Sequence, residues 1–252
     1  MPARAPRGFR HGAALLPSLF TIANLFCGWS CIVYAMRGQL ETAALFVGVA
    51  MLLDMLDGRI ARMTGTASEF GTQLDSLADV ISFGMAPAVL AYAWGLAPLG
   101  RLGWAVGFLF VTAAALRLAR FNIQKGTDKR YFIGLASPAA GALIASTVFY
   151  YPAGLPETPI AYLAIPLVLV PALLMVSTIR FRSFKTIDIG VRRRYQTLIL
   201  LAAFLALLVT YPHEVLLLMA YTYLMSAFIG LAINKLRGRD HEVTPPPEPS
   251  VG

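Results

Sequence analysis

Apolar residues in this chain fall in long unbroken blocks separated by short polar or basic connections. About 20 mostly apolar residues suffice for a helix to cross a bilayer, and eight segments approach that length: 13–36, 41–62, 72–97, 103–121, 136–152, 158–178, 196–211 and 214–234. The fifth and seventh are the shortest. A spanning chain must satisfy its backbone internally, so it forms helices or a closed barrel. Runs such as Leu198–Thr210 lack the alternation that a barrel strand requires. The pattern predicts an all-α, polytopic helical membrane protein with about eight transmembrane helices. Pro87, Pro166 and Pro171 lie inside apolar segments and should bend them. Between the second and third segments, Thr66 and Glu69 have capping-box spacing, which predicts a helix start near Ala67.

Composition sharpens this picture. Of 252 residues, 58% are hydrophobic and 13% charged, far from the roughly 45–50% and about 25% of soluble domains. The flanks differ from the middle. Residues 1–12 form a basic arm, 13–239 one transmembrane domain, and 240–252 a polar, Pro-rich tail expected to be disordered. The basic start faintly resembles a signal peptide, but the apolar run continues to Tyr34 with no evident small-residue cleavage site.

The net charge of +8 raises nucleic-acid binding as a possibility, and its distribution removes it. Counted alternately from a cytoplasmic N-terminus, nearly every Lys and Arg falls on the inner side. Arg37 and Arg101 alone fall on the outer side. That asymmetry is the positive-inside pattern. It places both termini on the cytoplasmic side of the cytoplasmic membrane and gives the inner surface, including Arg192–Arg194, affinity for anionic lipid. His213 falls at the outer interface. Cys27 and Cys31 stand one turn apart in an apolar helix without metal-type partners, and read as buried thiols.

The chemistry-bearing residues are aspartates. Asp54, Asp57, Gly58 and Ala61 share one helical stripe with Arg62 beside it; Gly71, Asp75 and Asp79 share a stripe on the next helix. Antiparallel neighbours joined at the inner end bring the stripes together. Four adjacent carboxylates repel and demand a cation. Arg59 and Arg62 cannot balance them, and all-oxygen donors without clustered His or Cys suit a hard divalent ion, Mg²⁺ or Mn²⁺. Gly58, Ala61 and Gly71 either let helices pack closely or leave room for a ligand between the carboxylates, the preferred reading. Thr21 and Asn24 form a polar pair on the first helix, for nucleotide contact or interhelical bonding.

Asp54, Asp57, Gly58, Ala61, Arg62, Gly71, Asp75 and Asp79, at offsets of 3, 4, 7, 8, 17, 21 and 25 from the first, match the whole signature of the CDP-alcohol phosphatidyltransferase family. Flanking strings at Asn24–Gly28, 75–88, 117–122 and 134–139 resemble its bacterial-type phosphatidylserine synthase branch. The resemblance implies the CDP-alcohol phosphotransferase fold and transfer of phosphatidyl from CDP-diacylglycerol to an alcohol, L-serine in that branch, with release of CMP. It further implies a two-ion metal site of Asp54, Asp57, Asp75 and Asp79, with Asp79 also the general base. Gly58, Ala61, Arg62 and Gly71, with Asn24, would line the nucleotide and pyrophosphate. Arg117 and Arg120 are candidates for the acceptor's carboxylate, or plain interfacial anchors. A homodimer is implied too. Competing readings are a sibling transferase using glycerol 3-phosphate, an inositol phosphate or choline, and a cation transporter. The transporter needs polar groups continuing through the membrane, and after Asp79 the third segment offers only Ser82.

Overall fold

The structure is a computed structural model and describes residues 7–64, 68–123, 131–155, 158–177, 180–182 and 194–236. Its helices follow the apolar blocks. Helix α1 (Arg7–Met36) turns through Gly38 into α2 (Leu40–Thr64), and the two pack along their length. Gly38 has a φ of 74°, the left-handed conformation that this tight reversal needs. A composite helix α3 (Glu69–Leu99) is followed by α4 (Arg101–Ile123) and α5 (Ser137–Tyr150). One turn at Thr158–Ala161 leads into α6 (Ala164–Val176), and α7 (Arg194–Thr210) and α8 (Pro212–Leu236) complete the bundle. Strand β1 (Tyr131–Ile133) pairs antiparallel with β2 (Arg180–Arg182), a short addition to the all-α expectation.

The eight apolar blocks are therefore eight helical segments, and the chain is an integral membrane protein. Fewer qualify alone as full spans. Among the described residues, four helices are long and apolar enough: Ser18–Met36, Glu69–Leu99, Arg101–Ile123 and Pro159–Val176. Helix α2 falls outside that set because Glu41, Asp54, Asp57, Arg59 and Arg62 are spread along it. It nevertheless presents Leu45, Val49, Leu52 and Met55 outward. The 14 residues of α5 rise only about 21 Å, against a hydrocarbon core of about 30 Å. Between α7 and α8 the chain bends by 118°. Exposed Phe26, Trp29, Trp104, Phe108 and Leu198–Leu201 give the bundle an apolar exterior, expected where lipid rather than water is the solvent.

Two prolines explain the irregular middle of α3. Proline lacks an N–H and its ring crowds the carbonyl four residues back. Before Pro87 the helix widens over Val80–Met85, and the Ala86 N–H reaches five residues back to the Ile81 carbonyl. Before Pro98 the same widening runs over Tyr92–Leu96, and the Trp94 carbonyl accepts from the Leu155 N–H at 2.7 Å. Pro171 lies inside α6, whereas Pro166 falls in its first turn, where proline is tolerated. The first helix begins at Arg7, within the segment expected as an arm; residues 1–6 and the tail 240–252 lie outside the described residues.

The core is formed by α1, α2, α3, α4, α5 and α6 around Phe110, Leu90, Ile144 and Val168. Cys27 and Cys31 are buried free thiols, as their setting suggested. His213 stacks on Phe149 with ring centroids 4.1 Å apart and lies 3.6 Å from Glu41.

Candidate metal and transfer site

Three helices bring polar side chains to one point of this apolar bundle. The start of α3 is fixed locally: Ser68 is its N-cap, and its Oγ accepts from the Gly71 N–H at 3.0 Å. This corrects the expected cap at Thr66, which lies outside the described residues. Ser68 can satisfy an orphan N–H of the first turn just as a threonine would, and the helix starts at Glu69. A Cβ on Gly71 would stand 3.1 Å from Ser68 Oγ, so glycine there keeps the cap clear.

From that start, Asp75 falls opposite the α2 stripe. Carboxylate oxygens of Asp54, Asp57 and Asp75 all lie within 4.8 Å of one another. Asp57 is 4% exposed, and Asp54 and Asp75 are half-buried. Asp79, one turn deeper on α3, is buried at 8% and stands outside that group of three. Gly58 and Gly71 are half-buried beside the carboxylates. Ala61 and Arg62 occupy the last turns of α2, with side chains outside the described residues.

Helix α1 supplies the third wall. Thr21 Oγ1 donates to Asp57 Oδ2 at 3.1 Å, and Asn24 Nδ2 makes a long contact to Asp79 Oδ1 at 3.5 Å. A carboxylate only accepts, so the amide nitrogen of Asn24 faces Asp79; its Oδ1 is buried without a partner. Ser82 Oγ donates to the Asn24 carbonyl at 3.0 Å. The polar pair of α1 thus makes interhelical bonds to two of the aspartates.

Among the described residues, a cation facing them comes from α4. Arg117 is within electrostatic reach of Asp54, Asp79 and Tyr223. It donates to Ser137 Oγ at 2.8 Å, its guanidinium carbon lies 5.9 Å from the Phe121 ring centroid, and its Nε is buried without a partner. Arg120 is half-buried on the next turn, and Arg59 is exposed. Asn122 donates to Ser76 Oγ at 2.9 Å, tying the C-terminal end of α4 to α3 beside Asp75. Ser76, Ser82, Ser137 and Tyr223 were not legible as site residues. Ser82 alone carried a signal, being the one polar side chain in the apolar run after Asp79.

One buried arginine does not balance four carboxylates. A cluster of three with oxygens this close fits a hard divalent cation, which the donor set favours over softer metals.

The chain is similar in sequence to known proteins. The family model described as CDP-alcohol phosphatidyltransferase matches residues 14–170. The chain is similar to the CDP-diacylglycerol–serine O-phosphatidyltransferase of Helicobacter pylori strain 26695. The two are 40% identical over 221 residues, which cover 85% of this chain and 90% of that protein. It is similar also to the protein of that name from Mycobacterium leprae, at 32% identity over 88% of this chain and 76% of the relative. The archaetidylserine synthase of Methanothermobacter thermautotrophicus is 38% identical over 66% of this chain and 69% of its own length. With the matched model spanning more than half of its residues and the aspartate signature gathered at one point, the chain belongs to the divalent-metal-dependent CDP-alcohol phosphatidyltransferase family.

Proposed function

We propose that this protein transfers the phosphatidyl group of CDP-diacylglycerol to the hydroxyl of L-serine, giving phosphatidylserine and CMP. The observation that carries the reading is the meeting of Asp54, Asp57, Asp75 and Asp79 beneath α1 in a chain whose similar relatives bear serine-transferase names. The archaeal relative's name keeps serine while the lipid changes, which supports serine over glycerol 3-phosphate, an inositol phosphate or choline.

Asp54, Asp57 and Asp75, with a share from Asp79, would hold Mg²⁺ or Mn²⁺, two ions in all, and the chemistry so supplied would be neutralisation of charge on the pyrophosphate and alignment of attacker and leaving group. Gly58, Ala61, Arg62 and Gly71 line the nucleotide and pyrophosphate, with Asn24 beside them. Asp79 accepts the proton of the serine hydroxyl as its oxygen attacks the phosphatidyl phosphorus. A new O–P bond forms while the bond to the CMP oxygen breaks, and CMP leaves with the electron pair. Arg117, aided by Arg120, receives the serine carboxylate, for which a guanidinium offers a two-pronged fork.

Beyond Ser82 the interior closes with Phe83, Leu90, Phe110 and Ile144, each 0% exposed. A permeation path needs polar groups there, so this packing favours a transferase over a cation transporter. Both termini and the site face the cytoplasm in this reading. The test is an acceptor screen: purified protein with CDP-diacylglycerol and Mn²⁺ or Mg²⁺ is offered single alcohols while CMP release is followed. Serine should support release, and release with glycerol 3-phosphate but not serine would replace the acceptor.

A further inference from the structure

Helices α1 and α3 approach closely about one turn beyond Asp79. A Cβ built on Gly28 would stand 2.6 Å from Ser82 Oγ and 2.8 Å from Ser82 Cα. The second distance involves backbone, so no side-chain rotation relieves it; only a glycine at 28 allows this crossing. Ser82 is 0% exposed, and its hydroxyl donates across the crossing to the Asn24 carbonyl at 3.0 Å. That bond fixes α1 in both height and rotation against α3.

The Asn24 contact to Asp79, at the turn of α1 that Ser82 holds, depends on that placement. Thr21, Asn24 and Gly28 follow i, i+3, i+7 spacing and share one face. With Gly28 seated on Ser82, Asn24 meets Asp79 at 3.5 Å and Thr21 meets Asp57 at 3.1 Å. Asp79 closes the regular part of α3, and the helix widens immediately after it over Val80–Met85. The Asn24 amide on α1 meets the Asp79 carboxylate at this junction.

We infer that Ser82, seated against Gly28, is a positioning residue for the transfer: it holds Asn24 so that one Asp79 oxygen is tied to the amide and the other faces the reaction. Ser82 touches no substrate in this account. The inference rests on the reading of Asp79 as the base.

Ser82→Ala removes the hydroxyl while keeping the close crossing, so the fold should survive it. The expected result is a kcat lowered about tenfold, as a slight misplacement of a reacting group produces. The KM for CDP-diacylglycerol and for serine, and Mn²⁺ binding read by electron paramagnetic resonance, should stay within about twofold, since a tenfold change in an equilibrium constant takes about 1.4 kcal/mol and a lost positioning bond acts on the rate instead. In an Asn24→Ala background, Ser82→Ala should cause no further fall in kcat, because the path from Ser82 to Asp79 is already cut. A wild-type kcat in Ser82→Ala overturns the inference, as does a fall that multiplies with that of Asn24→Ala. Parallel loss of Mn²⁺ binding overturns it too, since Ser82 would then act through the metal cluster. The base reading fails separately, if Asp79→Asn retains activity.

Discussion

Thr21 on α1 donates to Asp57 Oδ2 on α2 at 3.1 Å, with both residues 4% exposed, so a neutral hydroxyl holds one metal-candidate carboxylate in a chosen rotamer. A buried hydrogen bond to a charged group contributes about 1.5–3 kcal/mol. Thr21→Val keeps the shape and removes the donor. We expect weaker Mn²⁺ binding, by about tenfold, the ratio that about 1.4 kcal/mol produces. Titration of the purified protein with Mn²⁺ measures it, and unchanged affinity would show that Asp57 is held by something other than Thr21.

Metal removal follows from the cluster itself. Asp54, Asp57 and Asp75 bring carboxylate oxygens within 4.8 Å of one another inside an apolar bundle, an arrangement that a hard cation makes tenable. Excess chelator should abolish CMP release, and added Mg²⁺ or Mn²⁺ should restore it. Full activity in chelator would remove the metal from this reading.

Much of this site was legible because helical spacing and apolar runs are local signals. The Asp stripes of α2 and α3 could be drawn from spacing alone, and so could the eight helical segments. What escaped depends on tertiary contacts. Arg59 and Arg62 are near the aspartates in sequence, yet among the described residues the cation within electrostatic reach of Asp54 and Asp79 is Arg117, 38 residues beyond Asp79. Its partner Ser137 and neighbour Tyr223 come from α5 and α8, and no spacing rule links them. The cap at Ser68 won over Thr66 because several residues of that turn have capping chemistry and only the fold selects one. The pairing of β1 with β2 joins segments almost 50 residues apart, too short to carry a strand pattern.

Topology makes a prediction independent of chemistry. Basic residues concentrate in the connections after α4 and before α7, which the positive-inside rule assigns to the cytoplasm. In a chain with its native cysteines replaced, Thr127→Cys and Asp188→Cys should label from the inner side only. Arg101→Cys and Ala153→Cys, exposed at the opposite ends of helices, should label from outside. Outer labelling at position 127 would invert the site's placement.

Arg117 is the test of acceptor recognition. Arg117→Lys keeps a charge near Asp54 and Asp79 but loses the planar fork that bonds Ser137 Oγ at 2.8 Å while leaving Nε unpaired. The KM for serine should rise by about ten- to hundredfold, the range for a lost charge-assisted hydrogen bond. The KM for CDP-diacylglycerol should hold. Steady-state kinetics in mixed micelles separates the two, and an unchanged serine KM would return Arg117 to a structural role.

Asp79 and Asp54 should fail in different ways. Asp79 is buried deeper, contacts Asn24 and lies outside the group of three, whereas Asp54 belongs to it. Asp79→Asn preserves size but cannot take the hydroxyl proton as a carboxylate does, and loss of a general base costs about 10²–10⁴ in rate. This variant should still bind CDP-diacylglycerol in Mn²⁺, weakened by whatever share Asp79 has in holding metal, yet release almost no CMP with serine. Asp54→Asn removes one of the three clustered carboxylates, so nucleotide binding should fall together with turnover. Binding of CDP-diacylglycerol in the presence of Mn²⁺ and single-turnover CMP release distinguish the two defects. If Asp79→Asn turns over near the wild-type rate, the proton leaves by another route and a different group is the base. If Asp54→Asn binds nucleotide normally, the cluster does not hold the cation that the pyrophosphate needs.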